Sequence, residues 1–117
     1  MVVNPVAPQI GIVFVPVSDL HNARDWYCDV LGVPADGEIL HDHLYVLPMH
    51  GTSLILDSKI YSENAVFQVP AIALNTADIQ AAHQHMQGKS AEVMDVQFDK
   101  WFTFKDPDGN ALMICQS

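Results

Sequence analysis

The second half of this 117-residue chain repeats the first. Leu20, Ala23 and Tyr27 recur as Ile79, Ala82 and Met86 at a constant spacing of 59 residues. Tyr45, Gly51 and Ile55 recur as Thr103, Gly109 and Met113 at a spacing of 58, one residue having been lost between. A spacing shared across three elements predicts two copies of one supersecondary unit, which can bury its apolar face only against a neighbour. Each copy reads β-α-β-β, with one more weak strand near residues 35–40 and 91–96.

Local chemistry places the elements. Residues 10–17 alternate as a strand, with Val13, Val15 and Val17 on one face, Ile12 and Phe14 on the other, and Pro16 at its frayed end. Ser18 and Asp19 offer N-cap oxygens to a helix over 20–31, and Gly32 stands where a C-terminal glycine is expected. The buried stripe of that helix is Leu20, Ala23, Tyr27 and Val30 or Leu31. Residues 38–47 and 52–57 read as strands about a turn at Pro48-Met49-His50-Gly51, and the polar stretch 58–65 reads as the internal connection. In the second copy 71–76 is a strand, and Asp78 caps a helix that Gly88 ends. The chain closes on a hairpin over 101–117, folded about Asp106-Pro107-Asp108-Gly109-Asn110, where proline presets φ and glycine and asparagine accept positive φ. The expectation is one domain over 1–117, with a first module at 8–58, a linker at 59–66 and a second module at 67–117.

A chain of this length folds as one unit, burying about 60 to 70% of its extended surface. Half of its residues are hydrophobic and its mean hydropathy is +0.14, high for so short a chain, which predicts a homodimer covering part of the apolar surface. No apolar run approaches the roughly 18 residues of a membrane span, and no basic region precedes an apolar segment at the amino terminus, so neither a membrane nor a secretory setting is expected. Fourteen acidic against five basic residues would be repelled by phosphate backbones, which argues against a nucleic-acid partner. Cys28 and Cys115 lie far apart without C-x-x-C spacing and read as buried thiols of a reducing, cytoplasmic compartment.

The segments Val15-Pro-Val-Ser-Asp19, Ala23-Arg-Asp-Trp-Tyr27 with Leu31-Gly32, and Phe102-Thr-Phe-Lys-Asp-Pro-Asp-Gly-Asn110 resemble the vicinal oxygen chelate superfamily, which includes glyoxalases, bleomycin-resistance proteins and extradiol dioxygenases. The resemblance spans nearly the whole chain. It implies an α+β fold in which two βαβββ modules pair, within a chain or across a dimer, into an open, cup-shaped mixed sheet with helices outside and a small-molecule site inside. It also implies four cup-facing metal-ligand positions in the family's enzymes, which fall here on Ile12, Ile55, Ala71 and Met113. Three of these offer no donor and the thioether favours soft metals, so no metal and no cofactor are expected.

The repeat then assigns the faces. Phe102 and Phe104, with Leu44 and Val46 as their counterparts, are expected to face the helices. His41, His43, Tyr45, Trp101 and Thr103 are expected inside the cup, joined by Phe14, Asp57, Ala73 and Asn75 from edge strands and by Met113 and Cys115. Such an aromatic floor with polar handles would suit a planar or partly apolar ligand carrying hydrogen-bonding groups. His41 and His43, alternate residues of a strand, would project from one face, either as solvated rim residues or as a pair that binds metal or moves a proton. His21, His50, His83 and His85 read as surface residues, and Cys115 as a packing thiol. The expected function is metal-independent binding and sequestration of a small molecule. The alternative is an enzyme of the family, a lyase, isomerase or dioxygenase using an off-pattern metal site or a histidine base.

Overall fold

A computed structural model describes residues 4–117. Its elements are β1 (Ile12–Pro16), α1 (Leu20–Leu31), β2 (Leu44–Leu47), β3 (Ser53–Asp57), β4 (Ala73–Thr76), α2 (Ile79–Gln87), β5 (Trp101–Lys105) and β6 (Ala111–Gln116). They form two three-stranded mixed sheets, β1-β3-β2 and β4-β6-β5, and in each the first strand runs parallel to the centre strand and forms a free edge. The fold is α+β, as expected. Both helices start on the same device, Asp19 accepting from the amide of Asn22 and Asp78 from that of Ala81, each at 3.1 Å. Gly32 ends α1 in the left-handed region at φ 68°, where a Cβ would be strained.

The two hairpins differ by one residue, and this corrects the expected faces. Tyr45 lies opposite Leu56 and Leu47 opposite Leu54, whereas Phe102 lies opposite Ile114 and Phe104 opposite Leu112. Tyr45 therefore corresponds to Phe102 and not to Thr103, because the first hairpin is one residue shorter ahead of its turn glycine. A slip of one residue exchanges the two faces of a strand. Tyr45 and Leu47, each 1% exposed, face the helices, while Leu44 and Val46, expected there, lie on the opposite side.

The same displacement overturns the strand expected over 38–47. Leu40 bridges to Leu44, so His41, Asp42 and His43 form a tight turn with His41 and Asp42 at φ 52° and 64°. Gln97 bridges to Trp101 around an equivalent turn, with Phe98 and Asp99 both at φ 53°. The two histidines are thus not alternate residues of a strand. The extra strand expected near 35–40 and 91–96 is reduced to these bridges and one between Val93 and Phe104.

One core serves both modules. It gathers Val15, Val17, Leu54 and Leu56 with Phe102, Phe104, Leu112 and Ile114 around both helices. Trp26 of α1 stands edge-on to Tyr27 at 4.9 Å and reaches Phe104 of the other sheet at 6.3 Å. Each sheet keeps its second face open, turned away from that shared core.

Candidate functional site

The closing turn does more than reverse the chain. Asp106 and Asn110 are 5% and 0% exposed, and they tie the modules together. Tyr27 of α1 donates its hydroxyl to Asp106 Oδ2 at 2.6 Å, and Asn110 Nδ2 donates to the Pro16 carbonyl and to Asp106 Oδ2, both at 2.8 Å. Asp106 Oδ1 accepts the amides of Asp108 and Asn110 at 2.9 Å, and Asn110 Oδ1 accepts that of Phe67 at 2.8 Å. Ser18, expected as a cap, bonds Asp108 instead. Burial pushes the Asp106 carboxyl above its ordinary value against the pull of its donors, and burial beside that carboxylate pushes the Tyr27 phenol well up.

With the modules held back to back, the open faces are the candidate site. On the first, Phe14 pairs with Ile55 and Ile55 with Val46, and Ile12, Phe14 and Val46 are 50%, 45% and 42% exposed. On the second, Ala73 and Thr103 flank Met113 while Asn75 and Trp101 flank Cys115. Phe14, Asp57, Asn75, Trp101, Thr103 and Met113 are therefore all placed on open faces by register. Tyr45 is not. Its hydroxyl accepts the Gly37 amide at 3.2 Å and lies 3.9 Å from Cys28 Sγ, in a space that a side chain at Gly37 would fill. His41 is exposed on its turn, whereas His43 Nδ1 reaches Asp57 Oδ1 at 2.9 Å.

Two histidines expected at the surface have structural partners. His83 donates to the Met94 carbonyl at 2.9 Å and stands edge-on to Phe102 at 4.9 Å, and His85 donates to the Val30 carbonyl at 3.1 Å, joining the helices. His21 and His50 are exposed, Cys28 is buried and Cys115 is half-buried.

Neither open face is a closed pocket within one chain. Concavities lie instead in the crease between modules, one of about 370 Å³ with Leu31, Leu74 and Met86 in its wall, one of about 310 Å³ bounded by Val33, Met49 and Asn75, and one of about 270 Å³ bounded by Val13, Met49, His50 and Asn75. The first hairpin turn faces this crease and has none of the carboxylates that tie its counterpart. The four positions to which the resemblance assigns metal ligands hold two isoleucines, an alanine and a methionine, which do not fit a divalent ion. Among the described residues no three His, Cys, Asp or Glu side chains are grouped to hold one elsewhere. No helix among the described residues is long and apolar enough to cross a membrane.

Three solved structures show the same fold. TnmS3, an antibiotic binding protein from Streptomyces sp. CB03234, superposes with a TM-score of 0.72 at 24% identity over 97% of this chain and 98% of its own. A member of the glyoxalase/bleomycin resistance protein/dioxygenase superfamily from Sphaerobacter thermophilus gives 0.68 at 20% identity over 95% and 98%. Lactoylglutathione lyase from Agrobacterium tumefaciens gives 0.70 at 15% identity, over 96% of each chain. No curated protein sequence matches the chain. Residues 9–114 match the Glyoxalase/Bleomycin resistance protein/Dioxygenase superfamily, and the chain belongs to that family.

Proposed function

We propose that the protein binds a small, planar and partly apolar molecule without a metal and acts by sequestering it. The observation that carries this reading is the absence of a usable donor set at Ile12, Ile55, Ala71 and Met113, where the family's enzymes hold their ion. The antibiotic-binding neighbour TnmS3 supports a binding role, although at 24% identity it shares only the fold. Phe14, Asp57, Asn75, Trp101, Thr103 and Met113 are the proposed contacts.

The site is completed by a second copy of the chain. Both open faces are turned outward, the first with Ile12, Phe14 and Val46 exposed and the second with Trp101 and Met113 half-buried, and both end in a free edge strand, β1 or β4. Such faces and edges are stable in water when covered. A homodimer that sets the first module of one chain beside the second module of its partner forms a cup at each end. The bulky Ile12 and Phe14 of one wall then oppose the small Ala71 and Ala73 of the other. A cytoplasmic setting belongs to the same reading, supported by the free thiols Cys28 and Cys115.

The test is titration of chelator-treated protein with planar aromatic compounds, following quenching of Trp101 while core-packed Trp26 serves as internal reference. Saturable quenching that persists without metal and is lost in Trp101→Phe is expected. Binding that requires a stoichiometric divalent ion would refute the reading.

A further inference from the structure

We propose that His43, oriented by Asp57, is a proton-accepting anchor at the end of the first open face, and that the compounds taken there are planar aromatics bearing an acidic hydroxyl. This deepens the preceding reading and rests on it. Asp57 closes β3, and alternation puts its side chain on the open face one step beyond Ile55, in a row with Pro16 and Leu44. It is 5% exposed, and a carboxylate so placed needs donors. His43 Nδ1 and the Lys59 amide supply them, both to Oδ1 at 2.9 Å.

A carboxylate only accepts, so Nδ1 carries the hydrogen, and in the neutral ring Nε2 keeps a lone pair. The Nε2 atom has no protein partner among the described residues, and the side chain is 27% exposed. Because Asp57 stands one row beyond Phe14, Ile55 and Val46, an acceptor nitrogen on the ring it holds selects for a flat apolar body with an O–H at its edge. On transfer the O–H bond breaks, the electron pair stays on oxygen and the proton bonds Nε2. The imidazolium then lies between the bound phenolate and the Asp57 carboxylate, an alternation of charge that stabilises the transferred state.

The second module shows that the turn does not require this pair. His43 corresponds to Lys100 and Asp57 to Cys115, which cannot form a dyad, yet the turn from Gln97 to Trp101 adopts the same bridge and the same left-handed residues. A device for closing the turn alone would be needed twice.

The experiment compares 4-nitrophenol with its methyl ether, 4-nitroanisole, on the wild-type protein, His43→Gln and Asp57→Asn, in neutral buffer with the spectrum of the free compound subtracted. The wild type should bind the phenol at least about tenfold more tightly than the ether, since a site built for a donor rejects its methylated analogue. The bound phenol should show the visible phenolate band. His43→Gln should bind both compounds alike without that band, and Asp57→Asn should lose most of it, which keeps the test decisive if the first variant folds poorly. Equal binding of phenol and ether by the wild type, or a phenolate band that survives in His43→Gln, would overturn the anchor and leave the binding face standing. Failure of the wild type to bind either compound would overturn both.

Discussion

Replacing Tyr27 by Phe isolates one of the bonds that fix one module against the other. The ring stays, 1% exposed against Trp26, and no cavity opens. What goes is a 2.6 Å donation to a carboxylate that is itself 5% exposed. A hydrogen bond to a charged acceptor contributes about 1.5–3 kcal/mol. Oδ2 retains Asn110 Nδ2 at 2.8 Å and Oδ1 retains two amides, so the acceptor is not orphaned and the lower part of that range applies, about 1.5–2 kcal/mol. For a chain this long the melting temperature should fall by roughly 6–8 °C. Urea unfolding followed by Trp26 emission and far-ultraviolet circular dichroism should give this loss with an unchanged denaturant slope.

The pH dependence sharpens the test. Burial raises the folded-state pKa of Asp106 above its unfolded value, so its contribution to stability is present below the unfolded pKa and is lost as pH rises through the folded one. Tyr27 holds that pKa down, and its removal raises it further. The gap between wild type and variant should therefore be widest at neutral pH and should shrink to below about 1 kcal/mol as Asp106 protonates. A variant within about 0.5 kcal/mol of wild type at neutral pH, or a gap that is flat with pH, would refute the charged bond as a stabilising link between modules.

Three further outcomes are expected. Asn110→Ala removes the side chain that bonds Pro16, Asp106 and Phe67 at once and should cost about 3 kcal/mol or more in the same unfolding assay. Tyr45→Ala should cost about 3–5 kcal/mol by opening a cavity, so any loss of ligand binding should track loss of fold, and a stable variant with selectively weakened binding would return Tyr45 to the site. Phe14→Asp should abolish self-association in sedimentation velocity while costing the dilute monomer less than about 1 kcal/mol, because Phe14 is already 45% exposed. An undiminished dimer would place the interface elsewhere.

The repeat was legible because helix positions and caps are spaced rigidly. Leu20 and Ile79 are both buried, as are Tyr27 and Met86, and Asp19 and Asp78 cap alike. The face of β2 was misread because Gly51 and Ile55 set a spacing of 58 that holds only beyond the turn glycine. Ahead of it the spacing is 57, and Asp42 with Asp99, both left-handed, is the signal that identifies it. Trp101 and Thr103 lie on the face opposite Phe102 and Phe104, as their alternation predicts, because they belong to the copy whose turn chemistry fixes its own register. The Tyr27, Asp106 and Asn110 network was invisible because it joins residues 79 and 94 positions apart, which no local pattern records. The dyad was half visible. His43 and Asp57 were both expected at the site, but their contact depends on the turn that replaced the strand.

The same one-residue difference explains why the two turns have different jobs. The longer second turn has room for Asp106, Asp108 and Asn110 to reach Tyr27, Ser18 and the end of β1. The shorter first turn presents Met49 and His50 to the β4 side of the molecule and leaves a crease of about 270 Å³ there. Module one is therefore bonded to module two at the end of β1, and among the described residues the first turn makes no equivalent tie to β4. Because that tie passes through α1 and the core side of both sheets, it holds the helix-covered faces together and the open faces apart. On the proposed reading, a ligand seated on one open face would touch residues of one module only, and a second chain would enclose it. In the proposed dimer, the pairing of a bulky wall with a small one, and of a histidine anchor with a tryptophan, would then arise only where two copies meet.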